Sequence, residues 1–369
     1  MRATMIMMTI AAFSAPAAIS AYGAETYTAK AIATFPAPQV PNGLMTADHE
    51  AIYGIAYDYT NYSDANPHVA HWVYRISEEG AFSNPCLSME AALGSNVVFD
   101  RHGNGYTLGA NGVMRFTATG QCQLVATLGS DLIGMVNGDL TIAPSETIYG
   151  STKSGQLFFV DFAHKTTKVI TTFPMPGNAP GAFLTDIAAA PDREDGISGT
   201  FIWQTPDGNV ESQLFTYQFG GGYKNIFLFD ENVWMTNVAF AGGDRFAASG
   251  LLGGYLLSSS GKVLSSKIAA QDYPITLRHD RVFYTSETVT VGTGRYPPTK
   301  TNYFVSRSRL DGSAAANLVD ITSFGVPTSE VLPGPDDKLY VITFPTGSGP
   351  KTLVEVFNSL NRFGRRNAT

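Results

Sequence analysis

Hydrophobic and polar positions alternate along much of the chain. The runs "QLFFVDF" from Gln156 and "KVITTF" from Lys168 read as β-strands that each bury one face. Around them the pattern recurs as a unit: short strand, turn, aromatic-centred strand, glycine-rich loop, alternating strand, turn, alternating strand. It reads "NVVFDRHGNGYTLGANGVMRFTATGQCQLVATLG" from Asn96 and "DLTIAPSETIYGSTKSGQLFFVDFAHKTTKVITTFP" from Asp139. The turns "RHGNG", "APSE" and "TATGQ" carry residues that reverse a chain readily.

The same unit can be traced from Gly43, Asp186, Asn237, Pro274 and Glu330. The starts lie roughly 40–55 residues apart, the range of four-stranded propeller blades. Five units place a tyrosine ten residues after the start: Tyr53, Tyr106, Tyr149, Tyr284 and Tyr340. Each is expected on a second strand, packed between neighbouring units. The unit from Asp186 carries an insertion, "DREDGISG", and the unit from Asn237 offers Phe246 instead.

The expected fold is therefore all-β: a single β-propeller of about seven four-stranded blades, with six as the alternative if one unit is mis-split. A pair of β-sandwiches fits less well, because the repeat runs through the whole chain. The last unit supplies only three strands, "EVLPG", "KLYVITFP" and "KTLVEVF". An open ring would expose strand edges. The segment "KAIATFP" (Lys30 to Pro36) matches "KVITTFP" (Lys168 to Pro174), the outer strand of the Asp139 unit. The N-terminal segment is thus expected to be the outer strand of the last blade. A chance match in a chain rich in Thr, Ala and Val is the alternative.

Composition narrows the setting. Only 15% of the 369 residues are charged and 44% are hydrophobic, with 37 Gly and 20 Pro. A core of ample size and many turns follow, and the low charge suits a protein outside the cytoplasm. The net charge of −7 excludes a nucleic-acid partner, since no basic stripe is there to neutralise phosphates. Residues 1–23 read as a secretory signal: one early charge, Arg2, then an apolar run from Met5 to Ile19 interrupted by Pro16, then small residues. A retained membrane anchor is the competing reading, against which the run is short. The propeller is assigned to 24–358 and a short tail with Arg362, Arg365 and Arg366 to 359–369. Secreted or periplasmic localisation, a monomer and no membrane span after signal removal are expected. In an oxidising compartment Cys86 and Cys122 have the chance to pair; their place on adjacent blades leaves that open.

Candidate chemistry gathers on one face. The residues that open the repeats are polar: Asn96, Asp139, Asp186, Asn237 and Glu330, with Asn42 beside Gly43. From several blades such side chains would ring the channel mouth. Their oxygens suit a hard cation such as Ca²⁺ or another divalent ion. The competing reading is structural: Asn and Asp favour turns before strands because they bond nearby backbone. The longer insertions fall between second and third strands on the same face, "DYTNYSDANPHVAH" after Tyr57, "PDGNVES", "ETVTVGTGRYPPTKTN" and "PTGSGP". Asn42, Tyr62, His68 and Tyr296 are the expected ligand-binding residues there, for a small molecule, a glycan or an extracellular protein. His68 and His71 are three apart and face opposite ways in a strand, so the pair reads as surface histidines. No G-x-S-x-G elbow, H-E-x-x-H or P-loop is present.

"PNGLMTADHEAIYG" and "GDLTIAPSETIYGSTKSG" resemble the extracellular GloVer-type tandem repeats, which implies a fold and no particular chemistry. "PNGL" followed by "IYG" also resembles blades of the gluconolactonase-like propellers. That resemblance implies a calcium-dependent lactonase-like hydrolase. It would place a cation among Asn96, Asp186, Asn237 and Glu330, with Asp186 or Asp139 as base. The "PDG" turns usual in that family are mostly replaced here by "ADHE", "RHGN" and "APSE".

Overall fold

The computed structural model describes residues 26–358 except 49, 59, 61–69, 89–95, 110, 121, 133–135, 175–181, 191–195, 230–232, 241–244, 251–252, 269–275, 279–280, 293–298, 335–337 and 346–348. The expected signal segment and C-terminal tail lie outside the described residues. Among those described, the structure is all-β, with one 3₁₀ turn at Thr322–Phe324.

The N-terminal strand is β1 (Tyr27–Thr34). An up-and-down sheet follows: β2 (Gln39–Ala47), β3 (Ala51–Asp58), β4 (Ala70–Ser77) and β5 (Phe82–Ser88). Next come two four-stranded meanders. The first has β6 (Val98–Phe99), β7 (Gly105–Gly109), β8 (Gly112–Phe116) and β9 (Cys122–Thr127). The second has β10 (Val136–Ile142), β11 (Ile148–Thr152), β12 (Gln156–Asp161) and β13 (Thr166–Thr172). Three further sheets are β14 (Phe183–Ala189) to β17 (Gly222–Leu228), β18 (Met235–Phe240) to β21 (Val263–Ile268), and β22 (Thr276–Arg278) to β25 (Ala316–Asp320). Their middle strands are β15 (Gly196–Gln204) and β16 (Val210–Gln218), β19 (Arg245–Gly250) and β20 (Gly253–Ser258), and β23 (Arg281–Val291) and β24 (Thr299–Arg309). The last sheet runs β1, β29 (Thr352–Asn358), β28 (Leu339–Phe344) and β26 (Val326–Pro327), with β27 (Leu332–Pro333) also on β28.

Hydrogen bonding therefore makes five sheets of single-blade size and one of eight strands, neither seven nor six separate blades. The reason is an edge contact. The outer strands β9 and β13 meet in parallel at Thr127 and Thr166, and the Thr127 N–H donates to the Lys165 carbonyl (2.9 Å). Two sheets whose rims touch in this way share one ladder.

The sheets are set side by side in a propeller-like arrangement. First strands of neighbouring sheets touch, as β10 does β14, β14 does β18, and β2 and β22 do β27. The core is a series of interfaces between sheets. One cluster joins Phe201 and Phe215 to Leu157 and Phe173, and another joins Leu214 to Phe246 and Leu257. Second strands are packed on both faces, so β11 and β15 are buried almost throughout and show no alternation. All five repeat tyrosines lie on second strands and are at most 8% exposed.

β1 pairs antiparallel with β29, with Lys30 opposite Glu355. Glu355 is buried, and its charge is met by Lys30 (3.2 Å) and Lys338 (3.5 Å). Phe35 follows the strand and enters a cluster shared by the first and last sheets, edge-on to Tyr74 and Phe82. Phe173, its counterpart in the repeated sequence, enters a cluster likewise, edge-on to Phe201 and tilted against Phe215. Even the backbone bonds match: Phe35 N–H donates to the Lys351 carbonyl (2.9 Å) and Phe173 N–H to that of Gly155 (2.8 Å).

A second device recurs. Gly54, Gly105, Gly150 and Gly199 on second strands stand opposite Tyr74, Phe116, Phe158 and Phe215 on third strands. Each ring lies where a Cβ would be, with the nearest atoms 2.2–2.5 Å from it. A ring over a bare glycine fills the space the side chain lacks. Cys86 on β5 and Cys122 on β9 form a disulfide (Cα–Cα 5.2 Å), which answers the question their sequence positions left open.

Candidate functional site

Four first strands carry a register irregularity near their polar residue: Pro41 to Met45, Val136 to Leu140, Leu184 to Asp186, and Met235 to Asn237. Such bulges re-aim the side chain that follows. In β14 the bulge precedes Asp186, whose carboxylate reaches the neighbouring sheet. The Val238 N–H donates to Asp186 Oδ2 (2.9 Å), and the Met45 N–H to Glu330 Oε1 (2.7 Å). Asn96 uses both ends of its amide on Leu140: Nδ2 donates to the carbonyl (2.8 Å) and Oδ1 accepts from the N–H (2.9 Å). Thr141 Oγ1 accepts from the Ala189 N–H (2.9 Å) in the same way. Much of the polar column is thus an inter-sheet staple.

Three carboxylates from three sheets nevertheless lie within electrostatic reach. Burial raises the proton affinity of Asp186 well above the ordinary carboxylate range, and the negative charges of Asp139 and Glu330 add to it, while backbone N–H donors oppose it. Beside Glu330, the fully buried Tyr74 hydroxyl has its pKa pushed up, chiefly by burial. Lys351, half-buried with a lowered pKa from desolvation, donates to the Pro41 carbonyl (3.1 Å).

The remaining expected residues are dispersed. Asn237 Nδ2 donates to Thr236 Oγ1 (2.8 Å), and Asn42 Oδ1 accepts from the Leu44 N–H (3.1 Å), both within their own strands. Tyr62, His68 and Tyr296 lie outside the described residues. His71 is not at the surface: it is 5% exposed, its ring edge-on to Tyr57 at 4.6 Å. Among the described residues no three His, Cys, Asp or Glu side chains gather closely enough to hold a metal ion. A hard cation at the axis would meet an Asn96 amide already committed to backbone.

Two residues went unnoticed in the sequence. Phe183 (38% exposed) opens β14 and Trp234 (42%) immediately precedes β18, the adjacent first strand, at the end where the polar residues stand. Each precedes its polar residue by three positions, Phe183 before Asp186 and Trp234 before Asn237, a signal visible in the sequence.

No known family profile matches the chain, and no curated protein does. Solved structures do. The extracellular domain of the putative one component system BT4673 from B. thetaiotaomicron has a TM-score of 0.49 at 10% identity; the likeness covers 89% of this chain and 40% of that one. A gluconolactonase from Xanthomonas campestris, XC5397, has a TM-score of 0.42 at 15% identity, covering 69% and 94%. The soluble aldose sugar dehydrogenase of Escherichia coli has a TM-score of 0.34 at 10% identity, covering 62% and 99%. No residue role passes from them to this chain. Among the described residues no helix is long and apolar enough to cross a membrane.

Proposed function

We propose that this chain is a secreted or periplasmic β-propeller, acting as a monomer, that binds a small polar molecule, a glycan or an extracellular protein over the axial mouth. Counting the eight-stranded sheet as two meanders gives seven four-stranded blades, with β1 completing the last, and the repeats then follow the GloVer-like pattern. The observation that carries the binding reading is the pair of exposed aromatic side chains Phe183 and Trp234, at the starts of neighbouring first strands and three residues before Asp186 and Asn237. Aromatic surface next to a few polar groups is the usual composition of a ligand site. The test is a glycan and metabolite array on the mature protein, followed by titration of any hit against Trp234→Ala and Phe183→Ala. Binding lost in either variant with an unchanged Tm supports the reading; hits that ignore both variants remove it.

A second reading, a lactonase-type hydrolase dependent on Ca²⁺ or another divalent ion, draws support from the raised proton affinity of Asp186 beside Asp139. A buried carboxyl perturbed by neighbouring carboxylates is suited to proton transfer. Asp186 and Glu330 would hold the ion, which would polarise a carbonyl oxygen. Elemental analysis, with thermal shifts in Ca²⁺ and in EDTA, decides it: no metal and no shift eliminates this reading.

A further inference from the structure

A cavity of about 580 Å³ lies at the opposite end of the sheets from the polar column. It opens between the second meander and the sheet of β14 to β17. Two turns of the meander border it, residues 143–147 and 161–165, and Phe219 enters from the β16–β17 turn. The walls are Tyr149, Phe159, Phe162 and Phe219, and Tyr149 and Phe219 stack across the sheet boundary (centroids 5.1 Å apart, 25°).

Turn residues are ordinarily small and polar. Phe162 and Phe219 both sit in turns, and Phe162 is 43% exposed, its ring only 5.8 Å from Tyr106 and outside the core. The backbone holds a third anomaly. Glu146 has φ 66° and donates its N–H to Ala143. The same turn in the first meander has Gly103 there, φ 78°, donating to Asp100. A side chain is thus kept where glycine would be unstrained, at a cost of order 1 kcal/mol.

The charges of the lining are both negative. Asp161 is neutralised by Lys168 (2.5 Å), and its Oδ2 also lies 2.7 Å from His164 Nδ1. Glu146 gives Oε1 to the Arg101 backbone N–H and to Arg101 Nε, each at 3.0 Å. Its Oε2 lies 3.8 Å from His102 Nε2, and Arg101 is itself 76% exposed to screening solvent.

We propose that this cavity binds a small organic cation, an ammonium group seated beside the rings of Phe159, Phe162 and Phe219 with Glu146 as its counter-charge. The electron-rich faces of aromatic rings attract cations, and quaternary ammonium groups in particular. The volume lies within the usual range of small-molecule sites. The site shares no residue with the axial mouth, so its test is independent of the function proposed there.

The experiment titrates the full-length mature protein with choline, and with its uncharged analogue 3,3-dimethylbutan-1-ol, by calorimetry and NMR. Choline is expected to bind saturably and the alcohol at least about fivefold more weakly. Phe162→Ala, at an exposed position, should weaken choline about fivefold with an unchanged Tm, and Phe219→Ala should weaken it as much while lowering Tm slightly through its lost pairs with Tyr149 and Tyr217. Glu146→Gln should act in the same direction. Leu228→Ala, on an exposed outer strand, should leave binding unaltered. Absence of saturable choline binding overturns the proposal. So does equal affinity for the alcohol, or indifference to both phenylalanine variants.

Discussion

Phe35→Ala tests how firmly the N-terminal strand is built into the molecule. Phe35 is 1% exposed and meets Tyr74 and Phe82 edge-on, with centroids 4.9 and 5.7 Å away. Truncating a buried phenylalanine costs about 3–5 kcal/mol, including the cavity left behind. Two aromatic pairs, each worth about 0.5–1.5 kcal/mol, place Phe35 in the upper half of that range. With an unfolding entropy of about 2.1 cal/mol/K per residue over about 330 residues, 4 kcal/mol lowers Tm by about 6 °C. Phe173→Ala is the internal standard, because Phe173 holds the same place after β13 and is 2% exposed. Urea denaturation and calorimetry on both variants supply the numbers. Comparable losses are expected. If Phe35→Ala costs less than about 1 kcal/mol while Phe173→Ala costs the full amount, the N-terminal strand is not seated as described. Deleting Lys30 to Pro36 should go further, baring the β29 edge and causing aggregation.

Three other outcomes are expected. Replacing Cys86 and Cys122 together by Ser opens a loop of 36-residue separation, for which chain entropy gives a loss of about 4 kcal/mol in denaturation midpoint experiments; an unchanged midpoint would discard the bond. Gly150→Val forces a side chain into the Phe158 ring, 2.3 Å from the Cβ position, and should cost at least about 2 kcal/mol by the same assay, against no effect if the ring can swing clear. Asp186 binds its proton more tightly folded than unfolded. The stability this contributes is complete below the unfolded pKa near 3.9 and is lost as pH rises through the folded value. Asp186→Asn keeps an acceptor for the Val238 N–H, so it should flatten that decline and be the more stable protein at neutral pH. Parallel stability–pH curves for the two proteins would contradict the assignment.

The repeat unit, the second-strand tyrosines and the kinship of "KAIATFP" with "KVITTFP" were legible from the chain alone, because each is a local pattern. Strand periodicity, turn residues and an outer-strand-plus-Phe cassette are written in consecutive positions. The merging of two meanders into one sheet was not legible, since it depends on the rims of β9 and β13 coming within bonding distance. Nor was the use of the polar column. Asn96 meets Leu140 44 residues on, Asp186 meets Val238 52 on, and Glu330 meets Met45 285 back. Sequence identifies such residues as polar and places them at strand starts. Whether their oxygens serve a neighbouring backbone or a ligand is settled by which N–H groups the adjacent sheet presents, and only packing brings those groups near. The same holds for Phe162 and Phe219. In sequence they are two apolar turn residues; the tertiary structure sets them against one cavity beside Glu146.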